Sequence, residues 1–191
     1  MQSELEGYRQ QFEQITQDAR DLVKGLTEEE FNWRPAPGVW SIEECFAHLT
    51  MVGDVELLHI ERAIDEGRQK GILGTGPFRY SALERLILRE TEPPARHNMS
   101  APKRFMPLHN QPVTGVMPTF FHVQSMFLLQ LQRADGLHLR RVKVVTPISR
   151  FLKVSLGTTF AQTAAHERRH LAQARRVLAK LPKGVPLPAT H

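Results

Sequence analysis

Four stretches of this 191-residue chain carry apolar residues at helical spacing, and the gap between the second and third is too long for a hairpin. The first stretch runs from about Glu4 to Leu26. Thr27 to Glu30 then opens a new short turn ahead of the loop NWRPAPGV. The second stretch runs to Gly67 and has the clearest start, because Ser41 and Glu44 have capping-box spacing and Trp40 can pack on Cys45 as a staple. The third runs from Pro118 to Ala134 and stops at Asp135-Gly136; the fourth starts near Ser155 and ends before Pro182. Antiparallel neighbours in a bundle are joined by about 2–8 residues, whereas about fifty separate the second and third helices. That connection has room for a short helix, Ser81 to Glu90, and a proline-rich segment, EPPARHNMSAPKRFMPLHNQPVTGVMP. It is long enough to run the length of the molecule and leave the second and third helices parallel. RVKVVTPISRFLKVSL is β-branched enough for one or two short extended pieces. The expectation is an all-α fold: a four-helix bundle with a long crossover between helices 2 and 3, one domain over 1–191, with 182–191 as a loose tail.

Bulk properties remove several alternatives. With 41% hydrophobic and 24% charged residues the chain reads as globular and soluble. It has no apolar run of ~18–20 residues for a membrane span. MQSELEGYRQQ has neither the basic nor the apolar region of a secretory signal. Cys45 is the sole cysteine, so internal disulfides and multi-thiolate zinc sites are excluded, and a cytoplasmic location is expected. The excess of 25 basic over 20 acidic residues is modest and fits a solvated face, so no nucleic-acid partner is expected.

The chemistry concentrates in HERRHLAQ, residues 166–173. At ~100° per residue, with His166 as origin, Leu156, Phe160, Thr163, Ala174 and Val177 fall in one apolar wedge at roughly 20–120°. His170 lands near ~40°, inside that wedge, with His166 at its edge. Two imidazoles one turn apart on an inward face can converge on one ion. Glu167 also points inward, near ~100°, and a buried carboxylate needs a cation or a donor. Arg168, Arg169, Arg175, Arg176 and Lys180 fall on the other side.

HERRH matches the HExxH pattern of zinc proteases, but the third ligand those enzymes need is missing. Gln173 and Arg176 stand where the extended motif has glycine and histidine, and no Asp or Glu follows Glu167. Only His191, in the tail, lies beyond. A third ligand must come from upstream. His48, at the edge of the second helix's apolar wedge and two turns from its cap, ranks first. His59 is second and His122 on the third helix next. His48 and His59 stand roughly 16 Å apart along one helix, so only one can join the pair. His97, His109 and His138 fall in loops or at a helix end.

NWRPAPGVWSIEECFAHL resembles the W-S-I/V-x-E-x-x-x-H-L entry to the second helix of the DinB/YfiT-like family of metalloenzymes. HERRHLAQ is similar to that family's H-x-x-x-H-x-x-Q, and MSAPKRFMP, more weakly, to its alanine-proline crossover loop. The resemblance covers nearly the whole chain in the expected order. It implies a metal triad of His48, His166 and His170 and a four-helix bundle with its long crossover between helices two and three. Ala172 departs from the glycine that many members carry before the glutamine.

Structural zinc sites take four protein ligands, whereas three plus an open position is the catalytic arrangement. Neutral imidazoles leave the ion its full charge, which serves hydrolysis of an ester or amide, or delivery of a thiol to an electrophile. A divalent transition metal is expected, zinc or nickel first, with iron, copper and manganese as alternatives. Family members divide between metal-dependent hydrolases and transferases or isomerases that use a low-molecular-weight thiol such as bacillithiol or mycothiol. The enzyme reading is therefore a hydrolase or thiol S-transferase acting on a small molecule, with Glu167 as general base or ligand-supporting acceptor and Gln173 as an orienting group. Glu56, Asp54 and Cys45 are weaker candidates, and Trp33 and Trp40 read as packing residues. The other reading is a non-catalytic bundle whose histidines bind metal for stability or not at all. An exposed apolar helix face is compatible with a homodimer.

Overall fold

A computed structural model describes residues 1–93, 101–147 and 151–182. His97, residues 183–191 of the expected tail, and part of MSAPKRFMP lie outside the described residues. The first long helix, α1 (Ser3–Val23), turns Leu5, Phe12, Ile15, Ala19 and Leu22 inward. Thr27 and Glu30 form a capping box on the short α2 (Glu28–Asn32). The next helix, α3 (Ile42–Gln69), starts where its cap demands. Glu44 N–H donates to Ser41 Oγ at 3.1 Å, and Ser41 N–H donates back to the Glu44 carboxylate at 2.9 Å. After it come α4 (Ala82–Thr91) and a 3₁₀ turn, Lys103–Phe105.

The following helix, α5 (Val113–Arg133), begins five residues before the expected Pro118, which sits inside it. Proline costs a helix its own N–H bond and crowds the carbonyl four residues back. Here the start is held from outside: Val113 N–H donates to the Glu28 carboxylate of α2 at 2.9 Å. The β-branched segment forms a two-stranded antiparallel ribbon, β1 (Lys143–Val145) with β2 (Lys153–Ser155), in register Lys143↔Ser155. It leads directly into α6 (Leu156–Leu178), capped by Ser155.

The four long helices α1, α3, α5 and α6 form the bundle. Both α1 and α3 pack against α5 and α6. Hydrogen bonds give the directions. Gln111, just before α5, donates to Glu43 near the start of α3 at 3.0 Å, and Arg68 near the end of α3 donates to the Arg133 carbonyl at 3.1 Å. Like ends therefore meet, so α3 and α5 run the same way. Tyr8 faces Phe160 and Asp18 pairs with Arg175 at 2.8 Å, so α1 and α6 also run together. A Cβ built on Gly53 would lie 2.6 Å from Val123 Cγ1, so the α3–α5 approach admits no larger residue there. Buried phenylalanines fill the centre, with Phe12 stacked on Phe127 at 5.1 Å and Phe46 edge-on to Phe120 at 5.0 Å. Among the described residues no helix is long and apolar enough to cross a membrane.

Glu84 on α4 anchors the start of α6. Its carboxylate accepts from the N–H groups of Ser81, at 2.9 Å, and of Ser155, at 3.0 Å. Burial opposes its ionisation, but the Ser155 and Ser81 donors outweigh burial and hold its pKa at about 2. A depressed carboxyl pKa stabilises the fold fully above the unfolded value of 4.5, and that contribution is lost as pH falls towards 2. Glu84→Ala should therefore lower unfolding free energy at pH 7 by about 1–3 kcal/mol in urea titrations. The gap to wild type should narrow below pH 4.5. A variant as stable as wild type at pH 7 would contradict this anchoring role.

Candidate metal centre

His48 on α3 and His166 and His170 on α6 meet between these two antiparallel helices. Each offers one ring nitrogen, and these nitrogens all lie within 4.8 Å of one another. His48 Nε2 stands 3.4 Å from His166 Nε2. His48 and His170 are 4% and 6% exposed, while His166 is half-buried and forms the outer edge of the cluster.

The other side of each ring decides what the cluster can do. His48 Nδ1 lies 2.8 Å from the carbonyl oxygen of Phe105, which can only accept, so Nδ1 carries the proton and the Nε2 lone pair faces the other two rings. Among the described residues neither ring nitrogen of His170 has a hydrogen-bond partner, an expensive state for a buried imidazole. The indole of Trp40 lies against His48 and His170, with centroids 4.9 and 5.7 Å away. Burial lowers the pKa of all three histidines, that of His166 to about 3. Arg169 pushes each in the same direction, as do His48 on His166 and both partners on His170. Three neutral imidazoles, the ligand form, result.

Glu167 and Gln173 are placed differently. Glu167 is 2% exposed and does not join the cluster. It reaches across the bundle to α5, where Gln124 Nε2 donates to its Oε1 at 2.7 Å, and its Oε2 has no partner among the described residues. Burial raises its pKa to about 8, with the neighbouring Glu56 adding to the effect. Gln173 is half-buried one turn beyond His170 and is the one neighbour that favours the protonated form of that ring. His59, His109, His122 and His138 stand outside the cluster. His122 is exposed, His109 lies beside Glu44 at 3.8 Å, and His138 packs on Phe78. Cys45 is 1% exposed, and burial raises its thiol pKa far above the usual range.

Sequence reasoning did not foresee the Phe105 carbonyl, the Gln124 partner of Glu167, or the nearness of Arg169. A backbone carbonyl leaves no trace in residue identity. Gln124 on the buried face of α5 did leave one, since an inward amide needs a partner as much as an inward carboxylate does.

The family model of the DinB superfamily matches residues 11–174. The chain belongs to the DinB superfamily. Among solved structures it is similar to YfiT from Bacillus subtilis, described as a probable metal-dependent hydrolase with an unusual four-helix bundle topology. That likeness has a TM-score of 0.59 at 12% identity and covers 93% of this chain and 87% of the other, so it speaks for the DinB fold. No curated protein matches the chain.

Beside the cluster, Glu56 on α3 lies 2.8 Å from the Thr163 hydroxyl, and burial raises its pKa to about 7. Thr163 also lies 2.9 Å from the Thr159 carbonyl. The Thr163 hydroxyl donates to Glu56 and favours its ionised form, but burial outweighs that donor. Such a carboxyl keeps its proton between pH 4.5 and about 7 while the unfolded chain loses it, so stability falls as pH rises across that window. Urea titrations at pH 5 and pH 8 should show a smaller loss for Glu56→Gln than for wild type. Equal losses would show that Glu56 ionises normally.

Proposed function

We propose that His48, His166 and His170 hold one divalent transition-metal ion and that the protein is a metal-dependent hydrolase acting on a small molecule. The observation that carries this reading is the convergence of three ring nitrogens from two helices, one ring locked in its ligand tautomer by Phe105. The unsatisfied nitrogens of the buried His170 fit it, because an ion removes the cost they otherwise impose. Among the described residues no fourth His, Cys, Asp or Glu joins the three, which favours an open, catalytic position over a closed structural one. YfiT, described as a probable metal-dependent hydrolase, agrees in kind.

An ion held there supplies Lewis acidity, lowering the pKa of water or a thiol and polarising a substrate oxygen. The chain's own residues supply the rest. Phe105 orients His48, while Trp40 covers two of the rings and excludes water from that side. Glu167 faces Gln124, so it serves better as a positioning residue that sets the rotation of α6 than as a general base. Gln173, one turn past His170, is placed to orient what binds beside that ring.

Protein purified without nickel resin should contain about one transition-metal ion per chain by elemental analysis, and His48→Ala should fall far below that. His59→Ala should keep its metal. Unchanged metal in His48→Ala would reject the assignment. The loaded protein should hydrolyse a simple activated ester with no thiol present. Turnover of an electrophile only when a low-molecular-weight thiol is added would replace the hydrolase with the S-transferase reading.

A further inference from the structure

We infer that Arg169 is an anion-binding residue at the rim of the three-histidine cluster, and that the substrate carries a carboxylate or phosphate group that Arg169 holds beside the ion. The inference deepens the metal-centre reading above and rests on it.

Position comes first. Arg169 follows His166 by three residues and directly precedes His170, so it lies roughly 60° from His166 around α6, on the flank away from the apolar wedge. His166 is the half-buried member of the triad, so Arg169 stands where the cluster meets solvent.

Pairing comes second. The other half-buried arginines among the described residues have acidic partners. Arg9 pairs with Glu6 and Glu13, Arg133 with Glu61 and Asp65, and Arg168 with Glu92. Arg169 is sheltered to the same degree yet makes no hydrogen bond or ion pair within the described residues. The nearby acids are committed elsewhere: Glu167 to Gln124 and Glu92 to Arg168. No acidic residue follows Glu167 in the chain.

A guanidinium offers five donors in a planar fork suited to two oxygens of a carboxylate or phosphate. Its nitrogens are open to solvent and have no partner among the described residues, and its charge repels a cation held by three neutral ligands. A small oxyanion placed between the two engages the free donors and relieves that repulsion at once. Its neighbour Arg168, by contrast, is tied to Gln11 of α1 at 2.8 Å.

The test uses protein loaded with cobalt(II), whose visible absorption reports its ligands, titrated separately with acetate and inorganic phosphate. Wild type should bind at least one of them with a spectral change. R169Q should take up the same cobalt, because residue 169 is not a ligand, but bind the anion about tenfold more weakly. R169K, which keeps the charge and loses the fork, should fall between, and it serves as the comparison if R169Q does not fold. The preferred anion tells a carboxylate substrate from a phosphate one. Equal anion affinity in wild type and the variants, or no spectral response to either anion in wild type, overturns the inference and leaves the metal site standing. Wild type that takes up no cobalt overturns the metal reading itself, and this inference with it.

Discussion

One hydrogen bond sets the terms for the rest of the site: His48 Nδ1–H donating to the carbonyl of Phe105. It joins α3 to the 3₁₀ turn in the connection between α3 and α5. It also leaves the remaining nitrogen of a buried ring without its proton, aimed at two more imidazoles. The connection thus does more than link two helices that run the same way. It brings a backbone acceptor over the one histidine of α3 that faces α6. Without that acceptor the ring is free to adopt either tautomer, and the Nε2 lone pair is no longer guaranteed to face α6.

The bundle makes this affordable by packing apolar side chains nearly everywhere else and confining buried polarity to a few matched groups. Glu84 receives the backbone of α4 and α6, Glu44 that of α3, and Glu167 is met by Gln124. Several buried groups leave one polar atom without a partner among the described residues, Glu167 Oε2 and Gln124 Oε1 among them, but His170 leaves both of its ring nitrogens so.

Local signals read well in the sequence because they rest on near-neighbour chemistry. The Ser41–Glu44 box and the new turn at Thr27 fall where the caps place them, and the inward faces of His48, His166 and His170 follow from helical periodicity. The start of α5 was hidden because Glu28, far away in sequence, caps it, and a proline then sits inside rather than ahead of the helix. The partners of the site were hidden for the same reason. Phe105 acts through its backbone, Gln124 comes from the facing helix, and Arg169 looks like one more exposed cation on a basic face. His48 already ranked ahead of His59 and His122 because it lies two turns from a well-capped helix start, and the family resemblance implied the same choice.

The central claim is that three imidazoles share one ion. X-ray absorption spectroscopy on the zinc-loaded protein tests it most directly. The account predicts scattering from three imidazole nitrogens at about 2.0–2.1 Å and no sulfur shell. Two or fewer imidazoles, or sulfur at about 2.3 Å, would contradict it.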